Sequence, residues 1–173
     1  MRALNKCIGH PLLFYMPQKI KNINLTEEDI AAIQRMVYGE AASEDYATMK
    51  MIAQTAINRL RSGRKKEFGG NINRILQKGY YAVKNPNQPY RQALSGKFED
   101  EASKKKWLQA QKAVSDVIGK QDWGQAMFYF VPGEIKKQTE AGTFDFKQVA
   151  PTGDVGIYKT FGYPEAVSHY QKE

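Results

Sequence analysis

The chain has 173 residues, 42% of them hydrophobic and 12% aromatic, which suffices for one packed domain and excludes a disordered chain. Lys and Arg number 26 against 18 Asp and Glu, and the net charge of +8 favours polyanionic partners such as nucleic acid, anionic lipid or an acidic cell wall. No apolar run approaches the ~20 residues that cross a bilayer, so we expect no membrane span.

Residues 1–24 lack a regular hydrophobic period, and we predict an N-terminal arm that packs on the domain or docks onto a partner. The arm is a poor signal peptide because no continuous apolar stretch precedes a cleavage site. Cys7, His10 and His169 are the only cysteine and histidines. So few soft ligands weigh against a zinc site or a cysteine nucleophile, and we predict no metal and no cofactor.

Residues 25–173 predict one α+β domain, with helices first and a small antiparallel sheet near the C-terminus. Thr26 is a helix cap followed by three acidic residues, and a fourth helix carries an apolar face that includes Trp107. The predicted helices run from Thr26 to a break at Gly39, from Ser43 to Ser62, from Asn71 to Lys78, and from Asp100 to Ile118.

The remaining sequence of the domain predicts one loop and three strands. The segment 80–98 is rich in Asn, Pro, Gln and Tyr and is interpreted as a long ordered loop. The segment 127–131 is an aromatic strand that ends at Pro132-Gly133. Two further strands, 144–149 and 155–161, flank a predicted turn at 151–154.

Glu40 lies where the first two helices are predicted to meet. Cleavage of a glycoside needs a proton donor, and burial beside apolar and aromatic groups favours the protonated form of a carboxyl group. Glu44, near the start of the second helix, is better placed to stay ionised. From these residues alone, composition does not single out this pair, because a glutamate at a helix end is usually an ordinary solvated residue.

Two sequence blocks around this position form a recognisable pattern. One is Met36-Val37-Tyr38-Gly39-Glu40-Ala41 followed by Glu44, and the other runs from Ile52 through Asn58-Arg59 to Gly63. They resemble the SleB-like cell-wall hydrolases, which are spore cortex-lytic enzymes and their bacterial and phage relatives. Looser similarity continues through the Trp107 helix, Phe128-Tyr129-Phe130 and Gly156 to Phe161, so it covers about residues 28–163.

The resemblance implies a lysozyme-like fold and cleavage of the bond between N-acetylmuramic acid and N-acetylglucosamine. It also implies a lytic transglycosylase, in which Glu40 is acid and then base, and the muramic acid C6 hydroxyl replaces water as nucleophile. A hydrolytic muramidase is the alternative within the same class. Glu44 corresponds to the family's second glutamate; it either neighbours Glu40 on one helix face or only begins the second helix.

Sugar binding requires aromatic faces together with amide or hydroxyl groups. We predict that Tyr80, Tyr81 and Tyr129 bind the glycan together with Glu44, while core packing remains an equal alternative for each tyrosine. Asn58 is a further candidate that could instead tie helices together.

Neighbouring positions are interpreted as structural. Phe128 and Phe130 alternate with Tyr129 along a strand, so they are expected in the core, as is Trp107. Arg59 is expected to form an ion pair. The chain has Ala42-Ser43 where the family tends to have Arg-Gly, and Gly79-Tyr80-Tyr81-Ala82 where it has Gly-Gln-Phe-Ser.

The expected partners are peptidoglycan glycan strands and the anionic surface of the wall. No nucleic-acid motif occurs, so we expect no nucleic-acid partner. Residues 1–24 could dock onto a virion or another partner, and release by a holin or carriage in a virion would bring the chain to the wall outside the cytoplasm. The alternatives are a non-catalytic basic module that binds wall or nucleic acid, and a structural phage component.

Overall fold

The computed structural model describes residues 23–164. The predicted arm, apart from its last two residues, therefore lies outside the described residues, as do Cys7, His10 and His169. The described part is mostly helical, with eight α-helices and a three-stranded antiparallel sheet near its C-terminal end. The predicted α+β class and the order of its elements are confirmed.

Helix α1 spans Glu27–Ala41 and begins at the predicted cap. The Thr26 side chain accepts from the Asp29 backbone N–H at 3.1 Å, and the Asp29 carboxylate accepts from the Thr26 N–H at 3.0 Å. The predicted break at Gly39 is wrong, because the helix continues through Glu40 to its C-cap at Ala42. A helical glycine costs about 1 kcal/mol relative to alanine, and the buried residues on both sides of Gly39 offset it by packing.

Helix α2 spans Tyr46–Arg61 and packs on α1. Its cap is Asp45, whose carboxylate accepts from the Thr48 N–H at 2.8 Å, so the cap predicted at Ser43 is wrong. Glu44 consequently lies in the turn before α2, and its N–H donates to the Ala41 carbonyl at 3.0 Å. The predicted end at Ser62 is confirmed.

Four helices follow: α3 (Lys65–Phe68), α4 (Ile72–Gly79), α5 (Tyr81–Lys84) and α6 (Gln88–Ser95). The third predicted helix is confirmed as α4, capped by Asn71. The predicted loop over 80–98 is wrong, because α5 and α6 lie within it. Asn87 caps α6 through the Tyr90 N–H, and Gly96 ends it in the left-handed conformation at φ 68°.

Helix α7 spans Glu101–Gly119, close to its predicted limits, and is capped by Asp100. It packs against both α1 and α2 through Ala110, Val114 and Val117, all fully buried. These three helices, with α4, enclose the main hydrophobic core. The loop after α7 leads to the sheet. It runs beside the end of α2, whose side chains donate hydrogen bonds to its carbonyls.

The sheet contains β1 (Phe128–Phe130), β2 (Ala150–Val155) and β3 (Tyr158–Gly162), with β3 in the centre. The first and third strands are confirmed, but the predicted turn at 151–154 lies inside β2. The hairpin instead turns at Gly156-Ile157, where Gly156 has a φ of 56° that favours glycine. The predicted strand over 144–149 contains a short 3-10 helix, and Pro132 begins helix α8 (Pro132–Ala141).

Candidate active site around Glu40

Glu40 lies in the last turn of α1, and its half-buried carboxylate has two hydrogen-bond donors. The backbone N–H of Ala82 donates to Oε1 at 2.7 Å, and the hydroxyl of Tyr129 donates to Oε2 at 3.1 Å. One donor comes from α5 and the other from β1, so the carboxylate joins the helices to the sheet. Residues far apart in the chain thereby set the orientation of Glu40.

Gly39 explains how α5 comes so close to α1. A Cβ at position 39 would lie 2.7 Å from the Ala82 Cβ, which is closer than real Cβ contacts allow, and 3.1 Å from the Tyr90 Cβ, which is a tight contact. The Asn87 amide also donates to the Gly39 carbonyl at 2.7 Å. The glycine before the glutamate therefore permits the close approach that brings the Ala82 N–H to the carboxylate.

Tyr129 stays neutral at physiological pH. Its removal from water raises its pKa well above the ordinary value, and the negative charge of Glu40 raises it further, while the Arg59 cation opposes the shift. Because the phenol keeps its proton, its hydroxyl remains a donor to Glu40. The alternation predicted for β1 places Tyr129 on the opposite face from Phe128 and Phe130, which pack among other aromatic rings.

The two contacts assign different roles to the two carboxyl oxygens. A peptide N–H can only donate, so Oε1 is held as an acceptor. A phenol hydroxyl can donate or accept, so Oε2 can face Tyr129 whether Glu40 is ionised or protonated. Oε2 is therefore the oxygen at which a proton is compatible with both contacts.

Tyr158 on β3 is a further member of the site that the sequence analysis missed. Its ring meets the Tyr129 ring edge-on at 5.6 Å. Partial burial raises its pKa, and the negative charges of Glu44, Glu40 and Glu134 raise it further in that order. All three carboxylates are therefore near enough to act electrostatically on Tyr158, and Glu134, at the start of α8, was also missed.

The position of Tyr158 follows from the strand register. Tyr129 pairs with Thr160 on β3, and Tyr158 shares the face of Thr160 because side chains alternate along a strand. Alternation along the strands could have predicted this position of Tyr158. The hairpin turn was predicted at the wrong residues, however, so the register of β3 could not be derived.

Two predicted substrate contacts are corrected by burial. Tyr80 has no exposed surface, and its hydroxyl lies 2.8 Å from the Thr55 hydroxyl. Asn58 is 4% exposed, and its amide donates to the carbonyls of Trp123 at 2.7 Å and Ala126 at 2.9 Å. A buried group whose hydrogen bonds are made inside the protein cannot contact a glycan, so both residues have a structural role.

Tyr81 is exposed and therefore remains a candidate for glycan binding. It is 70% exposed at the start of α5, directly before the Ala82 N–H that contacts Glu40. Ile157, at the tip of the β2–β3 hairpin beside Tyr158, is 61% exposed. An exposed side chain therefore directly precedes Ala82, which contacts Glu40 on the helical side, and another directly precedes Tyr158 on the sheet side.

The ion pair expected for Arg59 is wrong for the part of the chain that the structure describes, where no carboxylate lies within salt-bridge distance. Its Nε donates to the Met127 carbonyl at 2.8 Å, and its guanidinium lies 4.8 Å from the Tyr80 ring centre. The buried cation instead joins α2 to the residue that precedes β1, and it opposes the rise in the pKa of Tyr129.

A pocket of about 280 Å³ opens on another face of α1 and does not include Glu40. Tyr38 and Ala42 line it, each two residues from Glu40 and so about 200° around the helix. Its other walls come from α6, α7 and the loop between them.

No group of three or more His, Cys, Asp or Glu within residues 23–164 is arranged to hold a metal ion. In the same range no helix is long and apolar enough to cross a bilayer. Comparisons with protein-family models, with curated proteins and with solved structures find no match.

Proposed function

We propose that the chain cleaves the glycan strand of peptidoglycan between N-acetylmuramic acid and N-acetylglucosamine, with Glu40 as the acid and base. The observation that carries this proposal is the orientation of one carboxyl group by a peptide N–H on Oε1 and a neutral phenol on Oε2. Such an arrangement presents a transferable proton on one defined oxygen.

In the proposed first step, the Oε2 proton passes to the glycosidic oxygen as the bond from that oxygen to the muramic acid C1 breaks. Glu40 becomes a carboxylate, which the Tyr129 hydroxyl and the Ala82 N–H stabilise as donors. In the second step, the C6 hydroxyl oxygen bonds to C1 and its proton returns to Oε2. Glu40 is thereby regenerated, and the product is a 1,6-anhydro sugar.

The surroundings of Glu40 support a sugar ligand. The exposed Tyr81 ring offers an apolar face to sugar C–H groups, and the Tyr158 and Glu44 side chains offer polar groups on the sheet side. The negative charges of Glu40, Glu44 and Glu134 would also stabilise positive charge at C1 in an oxocarbenium-like transition state. The net charge of +8 on the full chain favours binding to an anionic wall.

Digestion of purified sacculi followed by mass spectrometry of the soluble fragments tests the proposal. Fragments with 1,6-anhydro-muramic ends support the transglycosylase, and reducing ends indicate a muramidase that uses water in the second step. Release of neither, under conditions where a known lysozyme digests the same sacculi, would contradict the function. Cleavage of the peptide cross-links alone would show that the chain breaks a different bond.

A further inference from the structure

Most of the net positive charge of the chain is concentrated in one short segment. Residues 59–78 include seven of the 26 basic residues but only one of the 18 acidic residues. Seven against one gives this segment a net charge of +6, out of +8 for the whole chain. The segment comprises the end of α2, all of α3 and most of α4, so its charges belong to one continuous part of the fold.

Two consecutive glycines fold α4 back onto α3 and bring basic side chains of both helices together. Gly69 and Gly70 have positive φ values of 119° and 106°, which favour glycine. A Cβ at Gly69 would lie 2.5 Å from the Arg74 Cβ, and a Cβ at Gly70 would lie 3.0 Å from the Lys65 Cγ. The stems of Arg74 and Lys65 therefore lie against neighbouring residues of the same turn.

Lys78 reaches back from the last turn of α4 to α3. Its Nζ donates to the carbonyls of Lys66 and Glu67, each at 3.2 Å. Arg74 precedes Lys78 by four residues, so both lie on the outer face of α4, whose other face is buried. Four exposed cations thus share one surface, which we call the basic patch: Lys65, Lys66, Arg74 and Lys78.

The basic patch has no neutralising carboxylate in the part of the chain that the structure describes, where no Asp or Glu oxygen lies within 4.0 Å of its four cations. Glu67, the one acidic residue of the segment, accepts from the Tyr163 hydroxyl and lies 3.6 Å from Arg64. Exposed lysines elsewhere do face carboxylates, as Lys136 faces Glu140 one turn along α8. Clustered like charges repel one another, and a bound polyanion relieves that repulsion.

We infer that the basic patch binds a phosphodiester-linked anionic polymer of the bacterial cell wall. Lysine binds phosphate as a point charge, and the guanidinium of Arg74 can donate two parallel hydrogen bonds to phosphate oxygens. The outer face of α4 also exposes the amides of Asn73 and Gln77, which can donate to phosphate or hydroxyl oxygens. Cations and amide donors on one surface match a chain of phosphodiesters.

Nucleic acid is the competing polyanion, and the patch lacks a feature that favours it. Binding of single strands uses aromatic side chains on which the bases stack. Phe68 is the only aromatic residue in residues 59–78, and it is 7% exposed. The patch therefore offers contacts to phosphate alone, and a wall polymer without bases needs no others.

The basic patch adjoins the candidate active site along the chain. Lys78 lies four residues before Ala82, whose N–H donates to Glu40 at 2.7 Å, and the exposed Tyr81 lies between them. A wall polymer bound at the patch thus holds the chain beside the glycan strand. This inference rests on the proposed function, because it assigns a second component of the same wall to the enzyme.

Co-sedimentation with purified cell walls tests the patch without depending on catalysis. The Glu40→Gln protein is mixed with walls that carry a phosphodiester polymer, and with the same walls after hydrofluoric acid has removed that polymer. We expect at least about tenfold weaker binding to the stripped walls. Binding to the intact walls should fall as salt rises, because the cations of the patch are exposed.

The triple variant Lys65→Gln/Lys66→Gln/Arg74→Gln, made in the same background, removes three charges of the patch. Glutamine keeps the Cβ and Cγ atoms that pack on the two glycines, so we expect normal thermal unfolding. Lys78 is left unchanged, because its bonds to two carbonyls of α3 hold the helices together. We expect the triple variant to bind intact walls at least about tenfold more weakly than its parent.

The matched control is Lys104→Gln/Lys105→Gln/Lys137→Gln, which removes the same charge from exposed positions on α7 and α8. We expect it to bind intact walls nearly as tightly as the parent. An equal loss in the two triple variants would show that net charge alone attracts the wall, and it would overturn the inference.

Two further results would also overturn it. One is equal binding of the Glu40→Gln protein to intact and stripped walls. The other is tighter binding to duplex DNA than to intact walls at equal phosphate concentration, which would assign the patch to nucleic acid. Neither result affects the release of glycan fragments by the wild type. Polymer binding by a wild-type chain that releases no glycan fragments would instead contradict the proposed function alone.

Discussion

Replacing Tyr129 by phenylalanine removes one atom from the candidate site. The variant keeps the ring and its edge-on contact with Tyr158 at 5.6 Å, but it deletes the hydroxyl that donates to Glu40 Oε2 at 3.1 Å. A hydrogen bond to a charged group contributes about 1.5–3 kcal/mol, and each 1.4 kcal/mol is tenfold in rate. Because this donor stabilises the carboxylate formed after proton transfer, we expect kcat/KM to fall roughly ten- to hundredfold.

The assay is the initial rate of solubilisation of purified sacculi, with thermal unfolding measured in parallel. Tyr46→Phe is the matched control, because it also deletes a hydroxyl bonded to a carboxylate, that of Asp116 on α7. We expect the control to keep the wild-type rate. A Tyr129→Phe protein that digests sacculi at the wild-type rate would refute the role given to this hydroxyl.

Three further predictions concern packing, buried hydrogen bonds and pH. Gly39→Ala forces a methyl group to within 2.7 Å of the Ala82 Cβ, so we expect it to lower stability by about 1–3 kcal/mol in denaturant unfolding and to lower activity by displacing the Ala82 N–H. Asn58→Ala leaves the Trp123 and Ala126 carbonyls without a donor, and we expect a loss of about 1–3 kcal/mol by urea denaturation. The pKa of Asp116 is lowered by its hydrogen bonds from Lys112 and then Tyr46. The ionised group therefore contributes its full stabilisation above the unfolded pKa of about 3.9, and this contribution is lost as the pH falls further. We expect the urea midpoint of Asp116→Asn to depend less on pH over that acidic range.

Each of these predictions has a contrary result. Gly133→Ala is the control for Gly39, because its Cβ meets nothing within 4 Å, and equal stability of the two variants would contradict the packing argument. An Asn58→Ala protein as stable as the wild type would show that water replaces the hydrogen bonds of the Asn58 side chain without cost. For Asp116, a urea midpoint of the Asn variant that falls with acid as steeply as that of the wild type would assign the acid sensitivity to other carboxylates.

The sequence predicts the helical part of the fold well where local signals are strong. Thr26 and Asn71 are capping residues whose side chains bond the first turn, and the apolar face of α7 repeats at helical spacing, so these limits need no tertiary information. Alternation along β1 likewise predicts correctly that Tyr129 faces away from Phe128 and Phe130.

Other features depend on contacts between distant residues. Gly39 predicts a break from its local propensity, but the helix continues because α5 and α6 pack against the glycine. The Ala82 N–H is a backbone group with no sequence signature, so its contact with Glu40 could not be predicted. Tyr80 and Tyr81 are adjacent and chemically identical, yet the chain buries the first and exposes the second.

The central claim is that the proton carried by Glu40 breaks the glycan strand. Its most direct test compares the initial rates at which wild type, Glu40→Gln and the control Glu140→Gln solubilise sacculi. General acid catalysis contributes roughly 10²–10⁴-fold, so Glu40→Gln should lose at least about two orders of magnitude while folding normally, and the exposed Glu140 on α8 should be dispensable. Digestion by Glu40→Gln at the wild-type rate would contradict the mechanism.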